Sequence, residues 1–339
     1  MIGPSPLRIH AVVAAVALTG ALLLADGKPE PGEELFSFAD PAIDESSGLV
    51  LAGSTVLTVN DSGSGPVVHV VDASDGETVG RTTYTSDEVV DVEALAAGPD
   101  GSVWVGDIGD NGGRRASVVV YRLPAPEPGD RTVTAERFEL RYADGPKDAE
   151  TLLVHPRTGR LLVVSKGLFG GRVYAAPQQL PADGTGVLRP VGEVNGTVTD
   201  GAFLPDGRHV VVRTYSSAAV LDARSWESVG RFGLPDQRQG EGLAVADSGR
   251  KLLLSSEGRR SPVVAVPVPG AVLRAMAPAT ASPSPDDEAP AEVEVVAEEG
   301  WSARTWTGVV LLTGVGVALV ATVARHLRAR RRAQSRSTT

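Results

Sequence analysis

The stretch Asp91 to Asn111, DVEALAAGPDGSVWVGDIGDN, decides the fold. An acidic pair, Asp91 and Glu93, opens onto a short apolar strand. A Pro-Asp-Gly turn follows, then a second strand over Ser102 to Gly106 that runs into a polar cluster of Asp107, Asp110 and Asn111. Looser copies recur: ESSGLVLAGSTVLTVNDSG from Glu45, DAETLLVHPRTGRLLVVSKG from Asp148, TDGAFLPDGRHVVVRTYS from Thr199 and GEGLAVADSGRKLLLSSEG from Gly240. Anchored on Leu49, Leu95, Leu152, Phe203 and Leu243, the copies recur every ~48 residues, a period that belongs to propeller blades.

Working outward, the first four copies each carry two further runs rich in Val, Leu, Thr and Tyr, punctuated by Gly, Pro and Asp. These are Val67–Asp72 and Thr78–Thr83, Ser117–Leu123 and Thr132–Tyr142, Arg172–Ala176 and Val187–Val194, and Ala218–Asp222 and Ser228–Gly233. The fifth copy has no fourth strand after Pro262–Pro267, and an orphan strand at Leu35–Ala39 is expected to fill that place, closing the ring without a free edge. The expected fold class is therefore all-β: a β-propeller over residues 33–275 with five four-stranded blades. A sixth, degenerate blade hidden in the long interval from Asp91 to Asp148 is the alternative.

The flanks read differently. Residues 1–26 carry Arg8 and His10 ahead of the apolar run Ala11–Ala25, the pattern of a signal peptide or of an uncleaved signal anchor. Residues 276–302 are rich in Pro, Ala and acid without periodicity, as a disordered stalk would be. Residues 306–324 form an uncharged apolar run long enough for a transmembrane helix, and the basic tail at 325–339 places that end in the cytoplasm by the positive-inside rule. The expectation is a single-pass protein of the cell membrane with the propeller outside.

The formal net charge is −10; the tail holds six arginines and no acid, so the rest of the chain carries −10 less 6, or −16. An acidic exterior domain argues against nucleic acid as a partner. With no cysteine there are no disulfides, thiolate metal sites or Cys nucleophile. The five histidines, His10, His69, His155, His209 and His326, are scattered and form neither a zinc spacing nor a Ser-His-Asp setting.

In a propeller the innermost strand of each blade starts on one face and the second strand ends on that same face. The openers Glu45, Asp91, Glu93, Asp148, Glu150, Asp200 and Glu241 should therefore crowd near the axis with the closers. The closers are Asn60 and Asp61; Asp107, Asp110 and Asn111; Lys166; Arg213 and Tyr215; and Glu257. Carboxylates this close repel unless a cation or protons intervene, and oxygen-only ligands suit Ca²⁺ or Mg²⁺. The metal candidates are Glu45, Asp91, Glu93, Asp107, Asp110, Asn111, Asp148, Glu150, Asp200 and Glu241. The ligand-binding candidates are Asn60, Asp61, Lys166, Arg213, Tyr215 and Glu257, and Glu93 and Glu150 are the candidate catalytic carboxylates. The competing reading is that these acids bond backbone amides between blades and that Lys166 and Arg213 balance their charge.

The strings ESSGL, VNDSG, DVEAL, VGDIGDN, DAETL, VVVRTY, QGEGLA and LLSSEG resemble a group of uncharacterised bacterial secreted or membrane-anchored propellers, loosely similar to phytase-like and SdiA-regulated propellers, over about Glu33 to Ala275. Phytase-like propellers bind calcium on an acidic face and hydrolyse phosphoesters. The resemblance would make Glu93, Asp107, Asp110, Glu150 and Glu241 metal ligands, with Lys166 and Arg213 on phosphate. The present domain is smaller and has few basic residues for a polyphosphate. The expected function is a membrane-anchored extracellular propeller that binds a ligand or protein partner on an acidic, cation-binding face. A metal-dependent phosphoesterase or lactonase on that face and a purely structural interaction module are the alternatives.

Overall fold

A computed structural model describes residues 30–61, 64–86 and 89–277. The first sheet contains β2 (Ser46–Ala52), β3 (Thr55–Asn60), β4 (Val67–Asp72) and β5 (Thr78–Tyr84). The second contains β6 (Val92–Ala97), β7 (Val103–Asp107), β8 (Val118–Leu123) and β10 (Glu136–Tyr142), and the third β11 (Ala149–Val154), β12 (Leu161–Ser165), β13 (Gly170–Ala175) and β14 (Thr185–Asn195). The fourth contains β15 (Asp200–Phe203), β16 (His209–Arg213), β17 (Ser217–Asp222) and β18 (Ser228–Gly233). The fifth contains β19 (Gly240–Ala246), β20 (Lys251–Ser256) and β21 (Pro262–Pro267), and its outer place is taken by β1 (Glu33–Ser37), antiparallel to β21. The N-terminal strand thus closes the last sheet, two residues earlier than the orphan run predicts.

Inner strands such as β12 (LLVVS) and β16 (HVVVR) are buried along their whole length because sheets pack on both of their faces. The outer strand β5 alternates between buried and half-buried positions, as a strand with one wet face does. Five apolar clusters fill the five spaces between neighbouring sheets. The one holding Phe36, Phe38, Leu49, Val56, Leu253 and Val263 joins the fifth sheet to the first, so the ring closes on itself. Packing around the ring is tight: a Cβ on Gly48 would lie 2.5 Å from the backbone N of Leu95 on the next innermost strand. The architecture is propeller-like.

The long interval from Asp91 to Asp148 holds no sixth sheet among the described residues. The run predicted as one strand over Thr132–Tyr142 is split: β9 (Arg131–Val133) leaves its own sheet to pair in parallel with β5, and β10 completes the second sheet. The start of β14 also pairs in parallel with β10, stitching the second and third sheets together at their rims. Beyond β21 the chain forms a short helix, α1 (Gly270–Met276), at the end of the stretch read as propeller and unforeseen in it, and Val272 joins the core between the fourth and fifth sheets. Among the described residues no helix is long and apolar enough to cross a membrane. The expected signal, transmembrane segment and tail lie outside those residues, as does nearly all of the stalk.

Candidate functional site: an acidic cluster built on bulges

Strand register gives the repeat its structural alignment. Leu49, Leu95, Leu152 and Leu243 pair with Thr58, Val105, Val163 and Leu254, each two residues before the end of its second strand. The residue in that place in the fourth sheet is Ala202, opposite Val211, so the anchor expected at Phe203 moves by one. Two positions before each anchor stand Ser47, Glu93, Glu150, Asp200 and Glu241.

Four of these five innermost strands break register at that place. The pairing of β2, β6, β11 and β19 shifts between Ser46 and Gly48, Val92 and Ala94, Ala149 and Thr151, and Gly240 and Leu243. A bulge leaves one residue outside the ladder and re-aims its side chain. Ser47, Glu93 and Glu150 are those residues, and in the fifth sheet Glu241 and Gly242 together face Ser255 alone. The fourth sheet runs in unbroken register, Asp200 against Arg213.

A second tier comes from the chain leaving each second strand. The amides of Asp61, Lys166 and Glu257 bond the carbonyls of Glu45, Asp148 and Gln239 at 2.9, 2.8 and 2.9 Å, which sets their side chains over the bulges. Gly109 holds this place in the second sheet, its amide on the Asp91 carbonyl at 3.1 Å. A Cβ there would meet the Asp91 carboxylate at 2.4 Å and Glu93 Cγ at 2.8 Å, so the first glycine after DI in GDIGDN clears room for both acids.

Asp61, Asp91 and Glu93 each bring a carboxylate oxygen to within 4.8 Å of the others. Burial, then Asp61, then Asp91 push the Glu93 carboxyl up to about 9, with Lys166 pulling the other way. Asp91 is raised by burial and by Asp61 and Asp148, and exposed Glu45 by burial, Asp61 and Asp44. Across the axis, burial pushes Glu241 up to about 7 against the pull of Lys166, while Glu257 is raised by burial, Asp61 and Glu45. Half-exposed Tyr215 is pushed up to about 12 by burial and by Glu241. These mutual influences place Glu45, Asp61, Asp91, Glu93, Asp148, Lys166, Tyr215, Glu241 and Glu257 around one end of the axis. Glu150 is there through its ion pair with Lys166; its Oε1 takes the ammonium, and its buried Oε2 has no hydrogen-bond partner among the described residues.

Other candidates have a different place. Asp107 is fully buried and accepts hydrogen bonds from the amides of Val90 (3.1 Å) and Asp91 (2.9 Å) and an ion pair from Arg115 (2.8 Å). Asp110 accepts from the amides of Arg114 and Arg115, and its own amide donates to Asp148. Asp200 accepts from Gly201 and from Leu243 of the next sheet, at 2.7 and 2.6 Å. Asn60 bonds Ala42 O and the Glu45 amide. The polar atoms of these four are engaged by backbone within the wall, the bracing arrangement that was the competing reading. Arg213, expected to face an anionic ligand, is instead fully buried and donates to Gly242 O (3.0 Å), Ser255 O (3.1 Å) and Gln237 Oε1 (3.0 Å). Burial pulls its guanidinium down to about 10 and raises Asp200 well above the carboxylate range. Asn111 is exposed on the loop beyond Asp110.

Ser47 was missed. Its hydroxyl donates to the Glu93 carbonyl at 3.0 Å and approaches the Glu93 carboxylate at 3.4 Å. Aligning ESSGL with DVEAL on Leu49 and Leu95, rather than on their acidic ends, would have revealed it.

No protein-family description matches the sequence, and no curated protein matches it. Among solved structures, the crystal structure of Myxococcus xanthus glutaminyl cyclase is similar at 11% identity, covering 71% of this chain and 100% of that one with a TM-score of 0.45. The likeness is one of chain path, and no activity follows from it.

Proposed function

We propose that this chain is a ligand-binding propeller whose acidic end takes a divalent cation, Ca²⁺ or Mg²⁺, on Asp61, Asp91 and Glu93, and that it is held outside a membrane by the apolar segments flanking the propeller. The observation that carries the cation reading is the approach of three carboxylates to within 4.8 Å, with the innermost of them pushed up to about 9. That perturbation is the free energy of like charges held together out of water, and a divalent cation relieves it. The unpartnered Oε2 of Glu150 supplies a further oxygen in the same end of the axis. Hard oxygen donors without sulfur or imidazole suit Ca²⁺ and Mg²⁺.

The test is thermal unfolding of the full chain after chelation and on adding back each ion. A cation at 100 times its dissociation constant adds about 2.7 kcal/mol of stability, and the shift should vanish in Asp61→Asn with Asp91→Asn. An unchanged melting temperature at millimolar Ca²⁺ and Mg²⁺ would leave the cluster without a cation role.

A second reading is a hydrolase on the same face. It is favoured by Glu241, tuned to about 7 where a carboxylate can accept and return a proton at neutral pH. Screening phosphoesters and lactones against Glu241→Gln and Glu150→Gln separates the two readings: a hydrolase loses turnover while retaining cation-dependent stability.

A further inference from the structure

The opposite end of the axis is apolar. There the five innermost strands surround a cavity of about 260 Å³ that takes in Leu49, Leu95, Leu152, Ala202 and Leu243, and among the described residues no side chain with a polar group lines it. The strand-to-strand turns rim its mouth with Pro99, Pro156 and Pro205, and Pro99 and Pro205 are exposed, so the cavity meets solvent on the face away from the acidic cluster.

Its shape follows from the register. Four of the sheets bring to the ring position a leucine that also packs in the core between sheets, and the fourth sheet brings the smaller, half-buried Ala202. Each innermost strand lies at the end of its sheet, so one backbone edge is left toward the axis. An apolar lining with a few backbone donors and acceptors is the chemistry of a small-molecule pocket. A leucine-lined cavity of roughly 150 Å³ already holds benzene. A charged ligand would lose its hydration with no countercharge on the wall.

We propose that this cavity is a binding site for a small uncharged molecule with an apolar body, a short alkyl chain or a single hydrocarbon ring, entering past the proline rim beside Ala202. The site is independent of the cation at the other end.

The chain's lack of cysteine gives a direct test. In the full chain, Ala202→Cys places one thiol on the wall, and Leu168→Cys, at a position 85% exposed, gives the reference for free reactivity. Relative to that reference, hexyl methanethiosulfonate should modify Cys at position 202 at least ten-fold faster than the charged sulfonatoethyl reagent does, and saturating toluene should slow the hexyl reaction. Equal relative rates would mean a water-filled passage, and no reaction with either reagent would mean a closed packing gap; either result overturns the proposal. Val154→Cys, on the neighbouring wall, repeats the comparison should the first variant unfold, as judged by its circular dichroism.

Discussion

Two acids at the same place in the repeat, both raised by burial, are held by the backbone in different ways. Glu93 sits on a register shift, lies among Asp61 and Asp91, and is pushed up to about 9. Asp200 sits in an unbroken ladder, and its carboxylate is bonded to the amides of Gly201 and Leu243. One methylene and one bulge separate a group within the acidic cluster from a group inside a wall. In the fourth sheet the wall is completed by Arg213, which ties that sheet to two carbonyls of the fifth. The acidic end is therefore built by the bulged sheets, and the unbulged one serves as its brace. A carboxylate's charge says little about its role until it is known whether the backbone has already engaged it.

The largest effect expected concerns pH. A carboxyl raised from 4.5 to about 9 keeps its proton in the folded chain where the unfolded chain has released it. The folded state then binds more protons across that window, so stability falls as pH rises from 4.5 toward about 9 and levels off above it. At ~1.4 kcal/mol per pH unit the total is on the order of several kcal/mol. Glu241 adds to the slope between 4.5 and about 7. Denaturant titrations at several pH values should show the decline, flattened in Glu93→Gln; a flat wild-type profile would remove the strained acid from the comparison. Bound Ca²⁺ should stabilise more at pH 8 than at pH 5, since it competes with the proton.

Next comes the brace. Arg213→Met leaves the buried carbonyls of Gly242 and Ser255 without their donor and should cost about 1–3 kcal/mol for each in a urea titration, with cation binding weakened only as the fold loosens. Asp200→Glu tests the bulge itself. Without a bulge the extra methylene has to be packed into the wall, at about 1–3 kcal/mol, and isothermal titration should find no gain in Ca²⁺ affinity. The reciprocal change, Ser47→Glu, puts a carboxylate on a bulge and should raise that affinity, whereas Ser47→Ala removes one hydroxyl hydrogen bond worth about 1 kcal/mol. The smallest effect belongs far from either end: Arg131, paired with Glu127 on the outer rim, should change stability by less than about 1 kcal/mol when replaced by Ala.

Much of this was legible in the chain. Val- and Leu-rich runs at a repeated interval name strands because the side-chain period and the turn residues are local properties. The missing fourth strand of the last copy pointed to the N-terminus for the same reason, and β1 is found on β21. The convergence of the acidic openers on one end followed from the alternation of strand direction. The positions that the chain misplaced or left open share one feature. Phe203 was chosen over Ala202, Arg213 was aimed at a ligand, and whether Asp107, Asp110 and Asn60 bind or brace was left between two readings. In each case the deciding contact is register or a hydrogen bond to residues distant in sequence or to loop backbone.

The sequence by itself determined the β architecture, the repeat, and which end of the axis is acidic, because these depend on pattern and chain direction. Only the tertiary structure decided which acids the neighbouring backbone engages. A bulge is a difference in count between two paired strands, and a buried carboxylate is satisfied or left unpaired by amides that another sheet brings to it. Neither quantity exists until the ring has closed.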